Sequence, residues 1–155
     1  MDEPINSLVG KTIKNIYMSD EYLKFDTDQG EVSFSVYGDC CSHSYFYDFI
    51  GVDKLLNNGP VVSAREVELK ESDPRGVVPE HEHEYEYESI KVYGYEIVTE
   101  DPNFGPVTTV FSFRNSSNGY YGGELESCSE APVGLKQITK DVLSPDDLEQ
   151  VIIEI

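Results

Sequence analysis

At 155 residues with 39 % apolar side chains, eleven Tyr and seven Phe, the chain is long enough to bury a core of ordinary stability as one domain, and its aromatic content favours strands. Thirty acidic against eleven basic side chains give a formal charge of −19, which argues against direct contact with nucleic acid or an anionic membrane and points to cations or a basic protein as partner. No stretch approaches the roughly 18 apolar residues of a membrane span, and Met1-Asp2-Glu3-Pro4 opens no apolar run of signal length, so a soluble, cytoplasmic protein is expected.

Residues 11–18, 22–27 and 31–36 read as three strands, with Leu23 and Phe25 alternating against Lys24 and Asp26. Asp28-Gln29-Gly30 connects the second to the third and offers Gly for the left-handed position of a bulged hairpin turn. Gly38-Asp-Cys-Cys-Ser-His43 interrupts the strands. Ser44-Tyr-Phe-Tyr-Asp-Phe-Ile50 then reads as a short aromatic helix or turn that ends at Gly51, with another helical turn over Val52 to Leu56. Asn57-Asn-Gly-Pro60 has the chemistry of a turn, after which Val61 to Leu69 returns to strand-like alternation.

From Lys70 onward the composition changes, and residues 70–88 read as an exposed acidic loop or edge strand within a single domain spanning 1–155. Its end, Glu80-His-Glu-His-Glu-Tyr-Glu-Tyr-Glu88, alternates five glutamates with two His and two Tyr. In an extended strand all five carboxylates share one face, about 6.6 Å apart. Ile90 to Val98 continues as a strand, and Asp101 to Pro106 turns. Val107 to Phe113 and Tyr120 to Glu126 read as the arms of a hairpin around Arg114-Asn-Ser-Ser-Asn-Gly119. Leu135 to Thr139 is a last strand, and Ser144-Pro-Asp-Asp147 starts a helix that carries Leu148, Val151 and Ile152 on one side. The expected fold class is α+β, mainly antiparallel β-sheet with one or two short helices and a C-terminal helix.

Asp39-Cys-Cys-Ser-His-Ser-Tyr-Phe46 and Phe113-Arg-Asn-Ser-Ser-Asn-Gly-Tyr-Tyr-Gly-Gly123 together resemble the signature of a small, uncharacterised domain family found in bacteriophages and bacteria. The likeness runs from about Leu8 to Glu126, and Val9-Gly-Lys-Thr-Ile13 also fits its opening. The resemblance implies a phage-related setting and supplies no activity. The glutamate run and the tail from Ser127 to Ile155 look like additions to the shared pattern.

The residues offer several sites, each with a plainer structural alternative. Glu80, Glu82, Glu84, Glu86 and Glu88, accompanied by Tyr85 and Tyr87, could occupy a protein groove built for phosphates and stacked bases. The alternative is a solvated charge run that keeps an edge strand from aggregating. Asp39, Arg114, Asn115, Asn118, Tyr120 and Tyr121 could form a ligand site, since a guanidinium fork and turn amides suit a planar anion. The alternative there is an arginine tying the turn to Asp39. Cys40, Cys41, His43, His81 and His83 are soft enough for zinc, but adjacent cysteines lack the paired spacing of a structural site, and reduced thiols are expected. No local signature of a catalytic cysteine is present and no cofactor is expected. The sequence thus favours a non-enzymatic acidic protein that engages a basic host protein, with a small-ligand or metal-binding domain, conceivably enzymatic, as the alternative.

Overall fold

A computed structural model describes residues 3–38, 42–69, 89–117, 122–129 and 134–149. Among these, nine strands form two antiparallel sheets. They are β1 (Ile13–Met18), β2 (Tyr22–Thr27), β3 (Gly30–Gly38), β4 (His43–Ile50), β5 (Val61–Val67), β6 (Ser89–Asp101), β7 (Gly105–Ser117), β8 (Gly123–Cys128) and β9 (Lys136–Ile138). The first sheet has the order β8-β3-β2-β1-β9 and the second β4-β7-β6-β5. A 3-10 turn at Pro4–Leu8 and the helices α1 (Val52–Leu56) and α2 (Pro145–Glu149) complete the described elements. None of the helices is long and apolar enough to cross a membrane.

Alternation builds the core. Leu23 and Phe25 of β2 are buried, as are Phe111 and Phe113 of β7 and Tyr95 and Ile97 of β6, while their neighbours in sequence lie on the opposite face of each sheet. Phe111 stacks on Phe49 and on Tyr95, Phe113 stacks on Tyr93, and Phe25 meets Phe34 edge to face. Each buried phenylalanine contributes about 1.5–3 kcal/mol of transfer free energy, so this aromatic layer holds the sheets together. The turn between β2 and β3 has Gly30 at φ 106°, the left-handed position that the Asp28-Gln29-Gly30 spacing predicts.

Two expectations are corrected. Ser44 to Ile50 is not a helix or turn but part of β4, which pairs with β7 along its length. A bulge between Phe46 and Asp48 shifts the alternation there, so Phe46 and Phe49, three residues apart, are both buried. The second correction concerns the hairpin. β7 extends through Arg114 to Ser117 and lies in the second sheet, whereas β8 pairs with β3 in the first, so the two arms do not pair with each other. The chain instead changes sheet between Ser117 and Gly122, as it does between Gly38 and Ser42. The C-terminal helix has a described extent of five residues and buries Leu148, while Val151 and Ile152 lie outside the described residues.

Candidate functional site

The two crossings meet at one seam. Antiparallel pairing sets His43 opposite Ser116, Ser44 opposite Asn115 and Tyr45 opposite Arg114. Asn115 is fully buried, and its Nδ2 donates to the hydroxyls of Ser42 at 3.1 Å and Ser44 at 2.9 Å. The Ser44 hydroxyl donates in turn to the carbonyl of Tyr37 in β3, so a serine of one sheet is tied to the backbone of the other. Gly123 completes the joint: a Cβ there would run into the Ser44 hydroxyl, with the Tyr37 carbonyl oxygen only 3.0 Å away. Bare backbone is therefore required at this point of β8.

Arg114 lies on the opposite face of β7, because Phe113 and Asn115 beside it turn toward the core. It is only 3 % exposed, and its guanidinium carbon stands 3.4 Å from the centroid of the Tyr47 ring. Asp48, also buried, accepts a 2.5 Å hydrogen bond from the Ser112 hydroxyl on that same face. Burial pulls the Arg114 guanidinium below its ordinary value, and the fields of Tyr47, Tyr45 and Asp48 push back. Next along β4, His43 stacks on Tyr45.

A cleft opens on the other side of the seam, where the 3-10 turn, β5, β6 and β8 come together. Its volume is about 580 Å³, within the range of small-ligand sites. Its walls include Glu3, Glu66, Glu124 and Glu126 with Tyr93 and Tyr95, and among the described residues no Lys or Arg lines it. One of the acids, Glu3, is held by backbone. Glu3 accepts the Glu66 N–H at 2.8 Å, and Asn6 fixes the 3-10 turn by accepting the Glu3 N–H and donating to the Ala64 carbonyl. The Tyr93 hydroxyl accepts the Gly123 N–H at 3.2 Å. A Cβ on Gly122 would lie 2.7 Å from that hydroxyl, so the paired glycines let β8 close over Tyr93. Partial desolvation and the neighbouring Glu3 raise the carboxyl of Glu66, a residue otherwise exposed on β5, and burial with the fields of Glu66, Glu3, Tyr93 and Glu124 raises the Tyr95 phenol.

Comparison with known families gives one match: a domain of unknown function, DUF7448, over residues 6–127. The chain belongs to the DUF7448 family. No curated protein and no solved structure matches it. The DUF7448 span takes in both sequence motifs, the seam between them and most of the cleft, whereas Glu3, Pro4, β9 and α2 fall outside it.

Of the residues singled out in the sequence, Arg114 and Asn115 are buried in β7 and point to opposite faces, and His43 is exposed on β4. The two segments proposed to share a site do lie side by side through Ser42 to Tyr45 and Arg114 to Ser116. Asp39, Cys40, Cys41, Asn118, Tyr120 and Tyr121 lie outside the described residues, as do Glu80, His81, Glu82, His83, Glu84, Tyr85, Glu86, Tyr87 and Glu88. Among the described residues, no three His, Cys, Asp or Glu side chains are grouped to hold a metal ion. The cleft was missed at the level of sequence, because its residues come from four separate elements and no spacing links Glu3 to Glu66, Tyr95 and Glu124.

Proposed function

We propose that this DUF7448 protein is a non-enzymatic acidic binding protein from a phage-related setting. It engages a basic host protein, such as a nuclease, a defence factor or another nucleic-acid-binding protein, as a nucleic-acid mimic or inhibitor. The observation that carries this reading is the formal charge of −19 on 155 residues, far beyond the magnitude of about 2–8 that suffices to keep a small domain in solution. The regular carboxylates from Glu80 to Glu88 supply the phosphate-like row, and Tyr85 and Tyr87 supply faces for stacking.

Affinity for the partner falls steeply with added salt, as charge-dominated contacts do. The test compares two five-fold variants in capture from host lysate at low salt. In one, Glu80, Glu82, Glu84, Glu86 and Glu88 become Gln. In the other, the exposed Glu21, Glu31, Glu100 and Glu149 become Gln and Asp146 becomes Asn, which removes the same charge elsewhere. Loss of a basic partner in the first variant alone supports the mimic. Equal loss in both assigns binding to net charge, and capture of no basic partner by the parent chain refutes the reading.

A second reading, a small-ligand domain with its site at the seam, is favoured by one observation. The Asn115 side-chain oxygen is buried and accepts no hydrogen bond among the described residues. A ligand donor reaching that oxygen would satisfy it.

A further inference from the structure

Among the described residues, the charged groups that line the cleft between the 3-10 turn and β8 are acceptors alone, and a tyrosine hydroxyl on its wall is open. Tyr95 is 5 % exposed, its ring is stacked on Phe111, and its hydroxyl end stands among Glu66, Glu3 and Glu124 at the cleft wall. That hydroxyl makes no hydrogen bond among the described residues and is not one of their sealed polar atoms, so it stands open to the cleft. Tyr93 is already engaged, since it accepts the Gly123 N–H. The cleft therefore presents one open phenolic oxygen surrounded by carboxylates, one of which, that of Glu3, is positioned by the Glu66 backbone N–H.

This wall calls for a ligand with several N–H donors and a positive charge. A compact divalent ion suits it poorly, because the described carboxylates are not grouped as metal ligands and are instead spread over the 3-10 turn, β5 and β8. An alkyl chain ending in an ammonium group suits it well. Its methylenes can lie along Leu125 and the tyrosine rings, and its three N–H donors can reach Tyr95 and the flanking acids. We infer that the cleft walled by Tyr93, Tyr95, Glu3, Glu66 and Glu124 is a binding site for a primary alkylammonium group, carried either by a free polyamine or by a lysine side chain of a protein. The inference rests on the reading of the chain as a cation-seeking acidic protein. It needs no partner protein for its test, so the cleft and the partner can fail separately.

The experiment titrates the full chain with spermidine and, separately, with a blocked Gly-Lys-Gly peptide, following backbone amide shifts by NMR. The expected result is saturable one-to-one binding of at least one probe, with shifts concentrated at Glu66, Tyr95, Gly123 and Glu124. A preference for spermidine identifies a free polyamine, and a preference for the peptide identifies a protein side chain. Tyr95→Phe removes a single oxygen that makes no hydrogen bond among the described residues, and it weakens binding roughly ten-fold, as loss of a hydrogen bond to a charged donor does. Glu66→Gln with Glu124→Gln weakens it further. The control pair Glu100→Gln and Asp146→Asn removes the same charge outside the cleft and changes affinity less than about two-fold. Three results overturn the site: no saturable binding of either probe, shifts scattered over the acidic surface, or equal losses in the cleft and control pairs. Capture of a basic partner that persists after any of them leaves the proposed function standing.

Discussion

Replacing Arg114 by Met tests whether this arginine holds the sheet together or waits for a ligand. Met retains most of the unbranched stem and removes the charge, so the packing change is small and the loss is electrostatic. Arg114 is 3 % exposed and Asp48 4 %, and both lie on the face of the second sheet turned away from the aromatic core. Without the guanidinium, the Asp48 carboxylate keeps the Ser112 hydroxyl but loses the nearby positive charge, and Tyr47 loses the cation stacked 3.4 Å from its ring centroid. Breaking a buried charge arrangement on one side costs about 3–5 kcal/mol, a range that already includes the lost stacking. At a urea slope of about 2 kcal/mol per molar, the midpoint of unfolding drops by about 2 M. Adding Asp48→Asn removes the stranded charge, so the double variant recovers at least about 1 kcal/mol relative to Arg114→Met alone. A loss under about 1 kcal/mol for Arg114→Met, or simple additivity in the double variant, would refute the structural role and return Arg114 to the anion-binding reading.

Two further outcomes follow from the seam and the cleft. Gly123→Ala places a methyl group against the Ser44 hydroxyl, the Tyr37 carbonyl at 3.0 Å and the Phe113 ring at 3.1 Å, and it costs about 1–3 kcal/mol by urea unfolding. Gly59→Ala, whose nearest neighbour is 3.6 Å away, stays within about 0.5 kcal/mol; equal effects at the two positions would show that the joint is not tight. Glu66→Gln stabilises the protein at neutral pH, because the fold raises this carboxyl and so disfavours its ionised form. The folded chain holds that proton more tightly than the unfolded one, so the carboxylate's cost is full above the raised value and fades as pH falls through it toward the ordinary 4.5. Melting curves of both proteins from about pH 4 to 8 check this, and a gap that widens toward acid would contradict it.

Much of the first sheet was legible because period-two alternation and a glycine turn act over a few neighbouring residues. Tyr22 to Thr27 is β2 to the residue, and Gly30 takes the left-handed conformation that its turn demands. The failures have equally local causes. Phe46 and Phe49 are spaced like a helix face, yet a bulge puts both on one side of a strand, and a bulge leaves no compositional mark. Arg114, Asn115 and the serines after them have turn chemistry, but in the fold they are strand residues paired with β4, and the Asn115 amide nitrogen is met by the Ser42 and Ser44 hydroxyls. Turn residues announce a change of direction and not which sheet receives the next strand. The cleft was invisible for a related reason: it exists only once strands distant in sequence have paired.

The edge of the first sheet has a bearing on how much of the chain forms a self-sufficient unit. β9 covers β1 through Ile16, Tyr17 and Met18, yet it begins nine positions after residue 127, where the DUF7448 match stops. A chain trimmed to the shared span would leave those three residues with a bare row of N–H and C=O groups beside Met18 and Ile16, an inviting template for any extended chain that comes near. The short closing strand therefore works as a stopper against sheet growth. Any sequence inserted between β8 and β9 is tolerated only as long as it still delivers Lys136 to Ile138 to that edge.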